Sequence, residues 1–409
     1  MKQTEKQQKQ IILLSVSGPD RPGLTSSLTG ILGQYDVSIL DIGQSDIHQT
    51  LNLAIVFEMG EDAQSAPLLK DILMKSYELG LTIKFTPLSR EEYLEWAINK
   101  NNSRYIITVL GRCLTASQIH EVAKVIASYN LNIRTIYRLT HRPLPDDPSR
   151  RVCLEMNVEG AISDRKKMTS DFLEVSSRVG VDIAFQQDNM YYRNRRLVCF
   201  DMDSTLIQTE VIDELARRAG SGEQVSAITE SAMRGEIDFQ ESFKRRIKTL
   251  AGLPESVLAE VAESLPLTEG AERLLSALKI YGYKTAIISG GFTYFGQYLQ
   301  KKLGIDYVFA NELEIKDGHV GPIVDGARKA EYLRLLARME GLSTEQVIAL
   351  GDGANDLMML NTAGLGIAFQ AKPVVRENAR HSISSLGLDG VLYLLGYRDR
   401  HIEDLLARK

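Results

Sequence analysis

The chain is poor in cysteine and tryptophan, contains no long apolar run and has no strong excess of either charge. Its three cysteines, Cys113, Cys153 and Cys199, are scattered through 409 residues. They are too few and too far apart for a disulfide framework or a thiolate metal site, and read as small buried apolar residues, above all Cys199 inside LVCF. The 53 acidic and 48 basic side chains leave a formal net charge of −5. Both signs are mixed throughout, which excludes the basic footprint of a nucleic-acid binder. No apolar stretch approaches the roughly 20 residues that span a bilayer. The start, MKQTEKQQKQ before IILLSV, imitates a signal peptide, but its apolar part is short and GPDRPG interrupts it without a cleavage site. The expectation is a soluble, cytoplasmic protein of several domains, with neither a membrane nor a nucleic acid as partner.

What is present, first, is a repeat. Ile11 to Val16 is strand-like and ends in the turn of GPDRPGL. A helical pattern follows (Leu24, Leu28, Ile31, Leu32), then the strand pair VSILDIGQSDI and LNLAIVFEM. A second helix over APLLKDILMKSYELG and a last strand, LTIKFTPL, complete the set. The order recurs from Tyr105 in YIITVLG, SQIHEVAKVIASYNLNIRTI, VCLEMNVEG, MTSDFLEVSSRVG and VDIAFQQD. The extra residues of the second copy fall in the polar loop HRPLPDDPSRR, where insertion costs little. This describes two α+β units of βαββαβ order, residues 1–90 and 91–190. Each has an antiparallel sheet whose open face and edges favour pairing with a second copy. SREEYLEWAINKNN bridges the units, and its Trp96 reads as a packing residue.

The first unit resembles the ACT domain, a small-molecule regulatory module, through GPDRPGL. The resemblance implies an amino-acid effector at a turn formed by Gly18, Asp20 and Gly23. There the glycines allow close backbone approach and helix amides can receive a carboxylate. A plain α+β sandwich without a ligand is the alternative. In the second unit RCLTASQ follows Gly111, which removes the ligand-binding signature from that copy.

Chemistry enters after residue 190. The strand-like LVCF, Leu197 to Phe200, runs into Asp201-Met202-Asp203-Ser204-Thr205. A buried parallel strand that delivers two carboxylates can start a reaction centre, because ligands of open α/β sheets lie beyond the carboxyl ends of the strands. An exposed turn, or a helix capped by Ser204, is the bland alternative. YKTAIIS ends at Ser289 before Gly290-Gly291, and VIAL ends in Gly351-Asp352-Gly353-Ala354-Asn355-Asp356. Between them Lys329 opens KAEYLRLLARMEG.

In this order DMDST, AIIS, Lys329 and GDGAND resemble the four motifs of the haloacid dehalogenase superfamily of phosphotransferases. VIDE, ISGGF, FANEL and GDGANDLMML narrow the resemblance to the phosphoserine phosphatases, and the repeats in front make the chain similar to their long bacterial form. The fold implied for residues 191–409 is α/β, a Rossmann-like parallel-sheet core. A helical cap is expected at about 211–266, since Leu206 to Pro266 lacks strand-like alternation.

The resemblance implies Mg²⁺-dependent hydrolysis of O-phospho-L-serine, the last step of serine biosynthesis, through an aspartyl-phosphate on Asp201. Asp203 would protonate the leaving oxygen and then deprotonate water, which requires a raised pKa. The protein ligands of Mg²⁺ would be Asp201, the Asp203 carbonyl and Asp352, with Asp356 orienting them. Ser289 and the Gly290 amide would hold phosphoryl oxygens, and Lys329 would neutralise them together with Asp201. Asn355 would bond the phosphate or position Lys329. Taken alone, Arg328 competes with Lys329, and Asp352 could be a turn aspartate. In the cap, Glu210 would pair with the substrate ammonium and Arg246 would fork onto its carboxylate, with Met233 and Phe239 on the apolar side. Without the resemblance Arg246 is one more solvated member of KRRIK, as Lys244 and Arg245 are. His48, His120 and His141 show no metal-ligand spacing. The implied assembly is a homodimer. A phosphatase or phosphotransferase for another small phosphomonoester is the nearer alternative, and a non-catalytic amino-acid-sensing dimer the farther one.

Overall fold

The computed structural model describes residues 9–35, 37–60, 65–98, 103–142, 151–233, 236–237, 239–250, 252–314, 319–320 and 324–407. The chain divides into two units, residues 1–101 and 102–409.

The first unit contains β1 (Ile11–Pro19), α1 (Leu24–Leu32), β2 (Val37–Ile47), β3 (Thr50–Met59), α2 (Ser65–Glu78), β4 (Thr82–Leu88) and α3 (Arg90–Ile98). The strands form an antiparallel sheet of order β2-β3-β1-β4. Alternation along β1 and β3 directs Leu14, Val16, Leu53, Ile55 and Phe57 to one face. There they pack on Leu24, Leu28, Leu32, Leu68 and Ile72 of the two helices. Trp96 departs from its expected packing role: it is 49% exposed, and α3 buries no residue. Tyr93, Leu94, Trp96 and Ile98 spread around this helix instead of forming one stripe, so it has no single face to bury.

The second unit opens with the same order of elements: β5 (Arg104–Gly111), α4 (Ala116–Ser128), β6 (Asn132–Arg138), β7 (Val152–Glu159), α5 (Arg165–Val179) and β8 (Asp182–Gln187). Its sheet order, β6-β7-β5-β8, repeats the first. Cys153 is buried as expected, whereas Cys113 is exposed, because it lies in the turn after β5 rather than on a strand.

After β9 (Leu197–Phe200) four helices follow: α6 (Val211–Arg218), α7 (Gly222–Met233), α8 (Phe239–Lys248) and α9 (Glu255–Ser264). The chain continues through α10 (Ala271–Ile280), β10 (Lys284–Phe292), α11 (Thr293–Leu303), β11 (Tyr307–Asn311) and the short pair β12 (Leu313–Glu314) and β13 (His319–Val320). Next come α12 (Gly326–Met339), β14 (Val347–Gly351), α13 (Leu357–Thr362), β15 (Leu365–Phe369), α14 (Pro373–Asn378) and β16 (His381–Ile383). Two short helices, α15 (Val391–Leu394) and α16 (Asp399–Leu406), close the fold. The main sheet has six strands in the order β11-β10-β9-β14-β15-β16, paired in parallel. Being first in the chain but central in the sheet, β9 is the point where strand order reverses, and the crevice beyond its carboxyl end is where a ligand fits.

The second antiparallel sheet and this core are packed together. Leu110, Leu139, Cys153 and Ala184 belong to the same buried cluster as Val198, Phe200, Leu274 and Leu392. Among the described residues no helix is long and apolar enough to cross a membrane.

Candidate active site

The carboxyl end of β9 supplies the acid pair. Beyond Asp201 the backbone winds through one wide turn, Met202–Leu206, in which Ser204 takes a left-handed conformation with φ of 54°. The Oδ1 of Asp201 accepts from the Met202 amide at 2.8 Å and from the Lys329 ammonium at 2.9 Å. Among the described residues no hydrogen bond falls on its Oδ2. The Oδ1 of Asp203 accepts from the Val211 amide, the first residue of α6, at 2.9 Å. Thr205 is fully buried and donates to Asp352 Oδ1 at 3.3 Å.

Helix α12 brings Lys329, not Arg328, into the site. Lys329 is fully buried and also reaches Asp356 Oδ1 at 2.6 Å. Burial alone would discharge it, but the charges of Asp201 and Asp356 outweigh that penalty and hold its pKa above the usual lysine value. The second oxygen of Asp356 accepts from the Gly353 amide at 2.9 Å, so both its oxygens are engaged. Asp201, Asp352 and Asp356 each present an oxygen within 4.8 Å of the others. Burial, then the charge of Asp201, pushes Asp352 up to about 7. Burial, followed by the charge of Glu210, carries Asp203 well above the carboxylate range. Crowded hard oxygen donors with one lysine among them suit a small divalent cation.

The third wall is a bulge in β10. Pairing with β11 runs in register to Ile288 and resumes only at Phe292, opposite Asn311. Ser289 Oγ accepts from the Gly291 amide at 2.8 Å across the bulge. A Cβ on Gly291 would lie 2.5 Å from Asp203 Oδ2, so a side chain there would displace the Asp203 carboxylate.

The four helices α6 to α9 form the roof. Their two connections to the core are tied to each other: Ile207 bridges Leu267, and Gln208 donates to the carbonyls of Pro266 and Leu267. Glu210, immediately before α6, accepts from Ser204 Oγ at 2.9 Å. Arg246 of α8 faces inward, and its buried Nε has no hydrogen-bond partner among the described residues. Lys244 and Arg245 are exposed. Between roof and core lies a cavity of about 830 Å³. It is lined by Asp201, Asp203, Glu210, Arg246, Ser289, Gly290, Asp352 and Asn355, while Lys329 and Asp356 stand behind the wall. The side chains of Met233 and Phe239 lie outside the described residues.

Several lining groups escaped the sequence reasoning. Gly291 was legible in ISGGF and Ser204 in DMDST. Asp213 and Ser242 carried only the signal of helix phase, three residues after Glu210 and four before Arg246. In the first unit Asp20 and Gly23 line a smaller cavity of about 410 Å³. Gly18 is not part of its wall and instead meets Leu81 and Gly80, where a Cβ would lie 2.7 Å from Leu81 Cδ2.

Family models match three stretches of the chain. Residues 10–86 and residues 103–186 each match an ACT domain, and residues 195–364 match a haloacid dehalogenase-like hydrolase. The chain is 40% identical over 398 residues to the phosphoserine phosphatase SerB2 of Mycobacterium tuberculosis, covering 96% of this chain and 94% of that protein. It is 39% identical over 406 residues to a phosphoserine phosphatase of Streptomyces coelicolor, covering 97% and 95%. Among solved structures, a HAD-family hydrolase of Salmonella enterica serovar Typhi matches with a TM-score of 0.62 at 34% identity, over 71% of this chain and 98% of that one. A probable phosphoserine phosphatase of Vibrio cholerae, in unliganded form, matches with a TM-score of 0.55 at 35% identity, over 71% and 86%. Likeness along almost the whole length joins the acid pair, the buried lysine and the glycine bulge at the carboxyl end of the sheet: the chain belongs to the phosphoserine phosphatase family of haloacid dehalogenase-like hydrolases.

Proposed function

We propose that this hydrolase cleaves O-phospho-L-serine to L-serine and phosphate, with Asp201 as its nucleophile. The observation that carries the reading is the anchoring of Asp201. Lys329 and the Met202 amide both bind Oδ1, which leaves Oδ2 to attack phosphorus in line. Asp203, kept protonated by burial and by neighbouring charge, gives its proton to the serine oxygen as the P–O bond breaks. The aspartyl-phosphate on Asp201 is then opened by a water that Asp203, now ionised, deprotonates. Ser289 and the Gly290 amide hold the phosphoryl oxygens, Asn355 adds a hydrogen bond, and Lys329 offsets their charge through Asp201.

Asp201, Asp352 and the Asp203 carbonyl would hold Mg²⁺, with Asp356 fixing Lys329 behind them. When bound, Mg²⁺ neutralises phosphoryl charge and orients the ester for in-line attack. In the roof, Glu210 takes the substrate ammonium, and the unpartnered Nε of Arg246 supports its role toward the carboxylate. Met233 and Phe239 would supply the apolar side. Closure of the roof excludes water from the reacting centre.

The working organisation is an ACT-like unit over 1–90, another over 91–190 and the catalytic part over 191–409. It is a cytoplasmic homodimer in which an amino-acid effector binds beside Asp20 and Gly23. Asp201→Asn tests the nucleophile: phosphate release from L-phosphoserine should vanish while the thermal transition stays in place. Normal turnover in that variant would remove the assignment. Arg246→Ala should raise KM for phosphoserine and spare an aryl phosphate that lacks the carboxylate. Transfer to added alcohols at the expense of free phosphate would favour a phosphotransferase.

A further inference from the structure

The FANEL segment is a sequence motif for which the mechanism above gives no duty. Its Asn311 is 1% exposed and ends β11 directly opposite the bulge in β10, where pairing resumes at Phe292. A bulge leaves backbone groups without their ladder partners. The Asn311 side chain fills that gap: its Nδ2 donates to the Gly290 carbonyl at 2.6 Å. Its Oδ1 accepts from the Val324 amide at 2.7 Å. Val324 stands just before Asp325, which caps α12 by accepting from the Arg328 amide. The start of that helix is close-packed on the last motif, since a Cβ on Gly326 would lie 2.8 Å from the Asn355 carbonyl. Thr293 fixes the other side of Asn311 by donating to the carbonyls of Ala310 and Asn311 at 3.1 and 3.0 Å.

We propose that Asn311 is a positioning residue, a buried amide clamp that sets the phosphate-binding bulge at Ser289–Gly291 against the helix that carries Lys329. The two elements are far apart in sequence and share no strand pairing at that point. One planar amide with a donor and an acceptor holds both at once, and a buried amide that loses either partner leaves a polar group unpaired. The inference rests on the reading of Ser289, Gly290 and Lys329 as the phosphoryl site. Asn311 touches neither substrate nor metal ligand in that reading, so it acts through geometry alone.

The test uses the full-length chain with Mg²⁺. Asn311→Ala removes both bonds. Asn311→Asp keeps the size and the acceptor for Val324 but sets an oxygen against the Gly290 carbonyl. Each should lower kcat by about 10- to 100-fold, the cost of a small misplacement of reacting groups. The loss should be equal on L-phosphoserine and on an aryl phosphate, and inhibition by inorganic phosphate should weaken in parallel, because the fault lies at the phosphoryl site rather than in the roof. Normal kcat in either folded variant, or a loss confined to phosphoserine, overturns the proposal. Failure of both variants to fold also overturns it, by making Asn311 a residue of stability alone. Ser289→Ala is run beside them. If it retains normal turnover, the phosphoryl-site reading itself fails. If it is impaired and the Asn311 variants are not, only the clamp fails.

Discussion

In the unit of β1 to β4 the turn after the first strand stands open. Gly23 starts α1 with φ of 89° and without a side-chain cap, and Arg21, Thr25, Ser26 and Gln44 share the wall of the cavity beside it. In the unit of β5 to β8 the same turn is closed on both sides. Thr115 and Gln118 form a reciprocal cap on α4, and Arg112 reaches out of its own βαββαβ repeat to Glu269 at 2.6 Å and the Ser385 carbonyl at 3.1 Å. The fourth strands differ in the same sense. Thr82 begins β4 exposed, whereas the carboxylate of Asp182, at the start of β8, accepts from the amides of Ser384 and Ser385 and from the Ser385 hydroxyl. Further along, Arg151 and Arg273 meet on the buried Asp389. Two copies of one topology have thus diverged: one presents a free helix end, and the other spends the equivalent groups on attachment to the catalytic core.

The largest test of this contrast is to remove the units in turn. A chain that begins at residue 102 should fold and release phosphate. One that begins at residue 191 uncovers the cluster surface that Leu110, Leu139, Cys153 and Ala184 had buried. At about 1.5–3 kcal/mol per large apolar side chain, its thermal transition should fall by roughly 10 °C or more. Equal stability of the two shortened chains would break the comparison.

Asp182→Ala comes next. It strands three donors and should cost about 3 kcal/mol in urea unfolding, against less than about 0.5 kcal/mol for Thr82→Ala at the exposed counterpart.

A pH effect should follow from the same contact region. His381 lies on β16, and burial first and Arg195 second drive the pKa of its imidazole down to about 3. Its folded pKa is depressed below the unfolded 6.5, so the unfolded chain binds the extra proton between these values. Stability is therefore complete above pH 6.5 and declines as pH falls toward 3, by up to about 1.4 kcal/mol per unit. Denaturant titrations of wild type and His381→Asn at pH 7 and pH 5 should show the difference narrowing at the lower pH.

Thr115→Ala should cost about 1 kcal/mol through loss of the cap. Smallest of all, Arg112→Ala should cost less than about 1 kcal/mol, because the pair with Glu269 is exposed on both sides. A loss above the roughly 3 kcal/mol expected for Asp182→Ala would mean that this turn contributes more to attachment than Asp182 does.

Much of the site was legible because its parts lie at strand ends. LVCF before DMDST, AIIS before glycines and VIAL before GDGAND announce buried strands whose carboxyl ends carry polar groups. Local sequence could not choose between Lys329 and Arg328, since both occupy the first turns of one helix. Packing made that choice by burying one face between Asp201 and Asp356. The expectation for Trp96 failed for the opposite reason: an aromatic residue promises burial, but a helix without a stripe offers no surface to bury against.

The amino-acid sequence sufficed for the repeat, the element order within it, the helical character of the roof and the four segments that meet at the candidate site. All of these rest on periodicity and on turn residues within a few positions of one another. Folding alone could settle which oxygen of Asp201 is tied, why a side chain at Gly291 would displace Asp203, and how Asn311 joins two loops that share no local signal. It also committed the second turn to the core. Such relations depend on distances between segments scattered along the chain, and a buried polar group acquires its charge state and its partner only when those segments close around it.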